Sequence, residues 1–189
     1  MSVFYTTETT FEEIIKSRSV MQTTVFKYGI YAAITISALF VIGWFLGKEL
    51  DLGYSTQEVI GYATMLVSLS FVFFGIKHFR DKENNGQVSF GKALLIGVLI
   101  SLLAAIAFGI VDIIYLKLNP NFTTEYYDHH VAELKASLSG AELDAALTKM
   151  EEQRELFSSA TVSFILMSMT VFVIGFIISL LSALLLQRK

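Results

Sequence analysis

Four long apolar blocks constrain what this chain can fold into. They cover residues 28–47, 58–76, 93–116 and 161–186. A helix of about 20 apolar residues is long enough to cross a hydrocarbon core about 30 Å thick. The blocks carry two charges: Glu58, at the start of the second block, and Asp112, inside the third. The pattern predicts an all-α integral membrane protein whose four spanning helices form a bundle.

The composition narrows the classes of function. Hydrophobic residues make up 54% of the 189 residues, against about 45–50% in soluble domains. The chain has no cysteine, which excludes disulfides, thiolate metal sites and thiol nucleophiles. Its net charge of −3 supplies no basic field for nucleic acid. Because no nucleotide-binding or hydrolase motif is present either, we expect no catalytic residues, no enzyme activity and no cofactor.

The basic residues are distributed unevenly along the predicted topology. Nine of the 14 lysines and arginines fall in the leader, in the connection between spans 2 and 3, and in the C-terminal tail. Segments rich in lysine and arginine stay on the cytoplasmic side of a membrane. We therefore expect a multi-pass membrane protein with both termini cytoplasmic and residues 119–160 outside.

The leader, residues 1–27, precedes a membrane domain that we place at residues 28–189. Apolar residues such as Phe11, Ile14 and Met21 recur in it at roughly helical spacing, with charged residues between them. The spacing predicts a short helix lying in the headgroup region. The alternative is a solvated, frayed end.

Small residues recur every four positions in the predicted spans, which places them on one face of a helix. In lipid, such faces allow two helix backbones to approach closely. We expect helix packing at Gly43, Gly47, Gly97, Ser101, Ala105, Gly109, Gly175 and Ser179. The first interpretation is packing within one bundle, and the alternative is a homodimer through span 1 or span 3.

Residues 119–160 differ from the spans because they are amphipathic and acidic. Apolar residues at heptad-like spacing predict two helices that meet at residues 138–140 and form a hairpin. The segment has eight carboxylates and three basic side chains, a net charge of −5. A solvated face is the first interpretation, and a docking surface for a basic partner or a cation is the alternative.

Asp112 is the one ionisable residue well inside a predicted span. A charge at such a position is costly, so it suggests a role in transport or proton movement. Its place near the outer end of span 3 also allows a structural role, in which Asp112 contacts the interface or pairs with Lys117 or Lys48. Both interpretations remain open from the sequence.

A histidine pair marks the candidate metal site. Glu125, His129 and Glu133 are spaced four residues apart, so a helix places them on one face, as in other helical metal sites. The alternative is an ordinary surface role, because no HExxH motif and no cysteine support the site.

Two short motifs resemble a known family. The run GQVSFGKA, residues 86–93, leads into the third span, and the run NPNF, residues 119–122, leads into the acidic insert. Together they resemble the bacterial four-span membrane family catalogued as domain of unknown function 4199, over about residues 20–187. The resemblance implies the same four-span plan with an insert and a location in the bacterial inner membrane, and it implies no activity.

The sequence favours a non-enzymatic interaction or assembly protein. Its expected partners are the lipid bilayer and either a second copy of the chain or another membrane protein, with no nucleic acid. The alternative is a small transporter or channel-like subunit that uses Asp112.

Overall fold

A computed structural model describes residues 2–157 and 159–188, with side-chain environments for residues 18–154, 156 and 159–188. The helices within this part of the chain are α1 (Ser2–Glu49), α2 (Tyr54–His78), α3 (Phe90–Leu118), α4 (Phe122–Ser137), α5 (Gly140–Phe157) and α6 (Ala160–Leu186). A π-helical turn, Phe79–Glu83, continues α2. The predicted all-α class is confirmed.

Four of the described helical segments are long and apolar enough to cross a membrane: Arg18–Glu49, Tyr54–Glu83, Phe90–Leu118 and Ala160–Leu186. Each contains one predicted block in full or nearly so, and each extends beyond it. The extensions arise because hydropathy detects only the apolar part of a helix, whereas backbone hydrogen bonding continues through the polar flanks.

The leader is helical, but it is continuous with span 1 and does not form a separate short helix. Helix α1 runs from Ser2 to Glu49 without a break, so the leader and span 1 share one backbone. The physical reason is that residues 2–28 contain neither proline nor glycine, the two residues that most readily end a helix. We also predict that the leader lies in the headgroup region. That prediction depends on side chains that fall mostly outside the described residues.

Helices α3 and α6 run antiparallel and make the most extensive packing in the bundle. Gly97 on α3 lies against Ser179 on α6, and Gly175 on α6 lies against Ser101 on α3. The two serine hydroxyl oxygens are 3.2 Å apart, and both serines are fully buried. Because each helix places a glycine against a serine of the other helix, the two backbones can approach closely.

Helix α1 packs against α2 and α3 on the other side of the bundle. A methyl group on Gly43 would lie 3.5 Å from Ile60, and one on Gly47 would lie 3.1 Å from the Gln57 side chain. The GxxxG pair of span 1 therefore faces α2 of the same chain. This arrangement favours packing within one bundle over a dimer seam at this pair.

Helices α4 and α5 pack on each other beside one end of the bundle, which we call the hairpin end. Leu138 and Ser139 connect them, and Gly140 begins α5 with φ of +60°, a conformation that glycine adopts without steric cost. Tyr127 is the buried residue of α4, and Leu134 and Leu147 are half-buried in the two helices. The apolar stripes are thus partly covered while the charged faces stay exposed.

The opposite end of the bundle is closed by contacts to the C-terminal tail. Val88, in the loop before α3, and Arg188 exchange two backbone hydrogen bonds of 3.0 and 2.9 Å. The buried guanidinium of Arg80 donates to the carbonyl oxygen of Leu186, at the end of α6, and pairs with Asp81. These contacts hold the end of α6 to the turn after α2.

Candidate functional site

Two adjoining cavities lie at the hairpin end, between α1, α2, α3 and α4. The smaller has a volume of about 170 Å³, and we call it the aromatic chamber. Six rings line it: Phe40, Trp44, Tyr54, Tyr115, Phe122 and Tyr126. The larger has a volume of about 790 Å³, and we call it the vestibule. Trp44, Tyr54, Tyr115 and Phe122 line both cavities, so the chamber and the vestibule share a wall.

The rings of the chamber contact one another in a chain. The ring of Tyr115 lies 5.4 Å from that of Trp44 at 82° and 5.4 Å from that of Phe40 at 87°. Tyr54 and Tyr126 meet at 87° with ring centres 5.7 Å apart. Edge-to-face pairs of this kind stabilise aromatic clusters beyond their buried area. Rings from α1, α2, α3 and α4 therefore form the walls together.

Glu58 contributes the carboxylate that lines the chamber. The hydroxyl of Tyr126 donates a hydrogen bond to Oε1 of Glu58, at 2.9 Å, and joins α4 to α2. Burial, followed by this hydrogen bond, raises the pKa of Tyr126 above its ordinary value of 10.0. The Glu58 side chain is 48% exposed, so water and solutes can reach it.

The predicted metal site does not assemble. Nε2 of His129 lies 3.3 Å from Oε1 of Glu133, and Nδ1 of His130 lies 3.0 Å from Oε2 of Glu133. Glu125 instead lines the vestibule. Within the described part of the chain, no group of three His, Asp or Glu side chains is placed to hold a metal ion. Glu133 is shared by two histidines, which leaves the predicted trio incomplete.

Asp112 is 7% exposed and lies between α3 and α6. The hydroxyl of Ser163 donates a hydrogen bond of 2.8 Å to Oδ2 of Asp112. Neither Lys117 nor Lys48 forms an ion pair with it among the described contacts, so the lysine pairing considered from the sequence is wrong. The carboxylate therefore links the two helices that pack most closely.

The predicted packing residues fall into two groups. Gly97, Ser101, Gly175 and Ser179 form the centre of the α3–α6 interface, Ala105 is buried on the same face of α3, and Gly109 faces Ser168 and Phe164. Gly43 and Gly47 face α2. The span 3 residues are covered by α6, which leaves their small-residue face unavailable to a second copy.

Reasoning from the sequence missed Glu58 and the aromatic chamber. In the sequence Glu58 stands at the boundary of the second apolar block, and the aromatic residues are scattered over four separate helices. A usable signal was present, because aromatic residues cluster near the ends of spans 1, 2 and 3 and at the start of the insert. Only the packing of the helices shows that these rings surround one cavity.

Comparison with known proteins identifies a family and nothing closer. The model of a protein family of unknown function, DUF4199, matches residues 27–188, which is most of the chain. No curated protein and no solved structure matches. The match covers both motifs quoted above, and its description carries no activity.

Proposed function

We propose that this chain, which belongs to the DUF4199 family of unknown function, is a non-enzymatic interaction or assembly protein that presents the α4–α5 hairpin outside the membrane. The observation that carries the proposal is how the hairpin is attached to the bundle. Its first helix is attached to the bundle through Tyr126 and Glu58, while its charged faces remain exposed.

The charge of the hairpin favours a basic partner. Seven carboxylates are exposed on α4 and α5: Glu125, Asp128, Glu133, Glu142, Asp144, Glu151 and Glu152. Complementary charge steers association and selects partners. The hairpin exposes little apolar surface, with Leu156 its one large exposed hydrophobic side chain among those described. A basic segment of another membrane protein, near the membrane surface, matches this surface best.

The distribution of lysine and arginine supports the orientation. Basic residues lie together at the end opposite the hairpin: Lys77 at the end of α2, Arg80 and Lys82 in the turn Phe79–Glu83, Lys92 in the first turn of α3, and Arg188 in the C-terminal tail. Under the positive-inside rule this end is cytoplasmic, and the hairpin faces outward. We propose the bacterial inner membrane as the location because the motifs at residues 86–93 and 119–122 resemble those of a bacterial membrane family.

A hairpin whose net charge is reduced from −5 to −1 tests the proposal. In the variant, Glu142, Asp144, Glu151 and Glu152 on α5 become Gln, Asn, Gln and Gln. A photoreactive residue at position 148, exposed on the same helix, reports cross-linked partners and oligomeric state in native membranes. We expect neutralisation to remove most of the cross-linked product.

Gln153→Ala is the matched control, because Gln153 is exposed on α5 and uncharged. It should leave the cross-linked product intact. If the charge-reduced variant cross-links the same species to the same extent as the unmodified chain, the hairpin is not the interaction surface and the proposal fails.

Transport through Asp112 is the alternative function. An ionisable residue at membrane depth supports it in general. The hydrogen bond from Ser163 and the burial of Asp112 between α3 and α6 favour a packing role instead. A flux assay in proteoliposomes decides between them: we expect Asp112→Asn to leave any flux unchanged, and loss of flux would favour transport.

A further inference from the structure

We propose that the aromatic chamber binds a small quaternary ammonium group, such as that of choline. This inference goes beyond the proposed function, because it assigns a ligand to a cavity that hairpin-mediated interaction does not require. It stands on the size of the chamber, its walls and its charge.

The size of the chamber matches a compact cation. Its volume is about 170 Å³. An engineered protein cavity of about 150 Å³ accommodates benzene, so a group of similar size, such as trimethylammonium, fits a chamber of this volume.

The walls have the composition that recognises methylated ammonium. Aromatic rings attract a cation through the negative potential of their faces, and cages of such rings are a recurrent way of binding quaternary ammonium. Trp44, Tyr54 and Tyr115 contribute rings from three different helices, and Tyr115 meets Trp44 nearly at a right angle. Two rings set nearly at a right angle can contact a tetrahedral cation on more than one side.

The charge around the chamber has the sign that a cation needs. Glu58 lines the chamber, and Asp51 and Glu125 line the vestibule together with one lysine, Lys48. His129 also lines the vestibule, but Glu133 lies 3.3 Å from its ring nitrogen. The balance of three carboxylates against one lysine is negative, and an anion at this site would meet repulsion on most sides.

Glu58 is also held in place for this role. Tyr126 donates to its Oε1 atom at 2.9 Å, and Nε2 of His130 lies 3.9 Å from the same atom. Nε2 of His130 is buried and makes no hydrogen bond within the described residues. The carboxylate thus has one short hydrogen bond from a side chain, and it retains capacity to pair with a bound cation.

The chain carries its own reporter for the test. Trp44 is the single tryptophan of the sequence and lines the chamber, so its fluorescence reports occupancy directly. The full-length protein in phosphatidylglycerol nanodiscs is titrated with choline chloride. Sodium chloride at the same ionic strength is the charge control, and 3,3-dimethyl-1-butanol, the neutral isostere of choline, is the shape control.

We expect a saturable change in Trp44 emission with choline and binding at least about fivefold weaker with the neutral isostere. Glu58→Gln should weaken choline binding about tenfold, because it removes the charge and keeps an oxygen that can accept from Tyr126. Glu142→Gln, which removes one exposed charge from α5, should bind choline as the unmodified chain does.

Equilibrium dialysis with labelled choline provides a second measurement that does not depend on fluorescence. Phosphatidylcholine nanodiscs identify the source of the group. If a lipid headgroup fills the chamber, free choline should cause no further change in those discs, and if the ligand is a free solute, the titration should be the same in both lipids. Either result supports the proposal.

Three results would overturn it. The first is the absence of saturable choline binding by both fluorescence and dialysis. The second is equal binding of choline and its neutral isostere, which would make the chamber merely apolar. The third is unchanged choline binding by Glu58→Gln.

Discussion

Ser101 of α3 and Ser179 of α6 face each other with their hydroxyl oxygens 3.2 Å apart, and each lies against the glycine of the opposite helix. Each hydroxyl also lies within hydrogen-bond distance of a carbonyl oxygen of its own helix. Ser101 Oγ is 2.9 Å from the Gly97 oxygen, and Ser179 Oγ is 2.7 Å from the Gly175 oxygen. Because a hydroxyl has one proton, one serine at a time donates across the interface. The close approach of the backbones therefore depends more on the missing side chains of the glycines than on this hydrogen bond.

Adding a methyl group at the α3–α6 interface should destabilise the bundle. The Cβ atom of Gly97→Ala would lie 2.7 Å from Cβ of Ser179, and that of Gly175→Ala would lie 2.6 Å from Cβ of Ser101. Overpacking of this kind costs about 1–3 kcal/mol. The free energy of unfolding in mixed detergent micelles measures it.

Gly61→Ala on α2 is the matched control for these substitutions. Apart from the neighbouring residues and backbone of its own helix, no atom lies within 4 Å of the position its Cβ would take, so the change should be neutral or stabilising. If Gly97→Ala and Gly61→Ala unfold with the same free energy, the α3–α6 interface is not closely packed at this position.

Asp112 should behave as a packing residue. Asp112→Asn keeps an oxygen that can accept from Ser163, whereas Asp112→Leu leaves the buried Ser163 hydroxyl without this partner. We expect Asp112→Leu to lower the free energy of unfolding by about 1–3 kcal/mol relative to Asp112→Asn, the usual cost of an unsatisfied buried polar group. Equal stability of the two variants would contradict the role of this hydrogen bond.

Removing the hydroxyl of Tyr126 should loosen the hairpin from the bundle. Tyr126→Phe keeps the ring in its aromatic contacts and deletes the hydrogen bond to Glu58. Because Glu58 is 48% exposed, we expect a loss near the lower end of the usual range, about 0.5–1 kcal/mol. Hydrogen exchange of the α4 amides reports it as faster exchange confined to that helix.

Tyr62→Phe is the comparison for that experiment, since Tyr62 is an exposed tyrosine one turn from Glu58 on α2. Removal of the Tyr62 hydroxyl should leave the hydrogen exchange of the α4 amides unchanged. Faster exchange of α4 in both variants, to the same degree, would show that the hydroxyl of Tyr126 has no specific part in attaching the hairpin.

The attachment of α4 should also depend on alkaline pH. Burial, followed by the hydrogen bond to Glu58, raises the pKa of Tyr126 above 10.0. A raised pKa means that the folded state retains the proton, so this stabilisation is complete below pH 10 and declines as the pH rises above it. Tyrosinate absorbance, as the difference between the unmodified chain and Tyr126→Phe, should show an ionisation above pH 10. An ionisation at or below that pH would contradict the buried hydrogen bond.

The sequence predicts the helices because their signal is local. Apolar blocks of span length specify membrane-crossing helices regardless of what they pack against, and the four blocks match four helices. The residues at which helices begin and end are harder to predict from hydropathy. The leader joins α1 because residues 2–28 lack a helix-breaking residue, which hydropathy does not measure.

The partners of these helices depend on packing, which a single sequence does not encode position by position. Spacing of four places Gly97 and Gly175 on small-residue faces of their helices, but it gives no sign that each lies against a serine of the other helix. In the same way, Asp112 is evident as a charge inside a span, while Ser163, 51 residues later, gives no sign of being its partner. The aromatic chamber joins residues from four helices and becomes visible only in three dimensions.

The orientation of the hairpin is the central claim, because the proposed interaction requires α4 and α5 to lie outside. The chain has no cysteine, so single introduced cysteines can be labelled without background. Ser139→Cys places a cysteine in the connection between α4 and α5, and Asn85→Cys places one in the loop at the opposite end of the bundle. Both positions are exposed. In intact cells a membrane-impermeant maleimide should label position 139, and it should reach position 85 only after lysis. Labelling of position 85 in intact cells, with position 139 protected until lysis, would contradict the account.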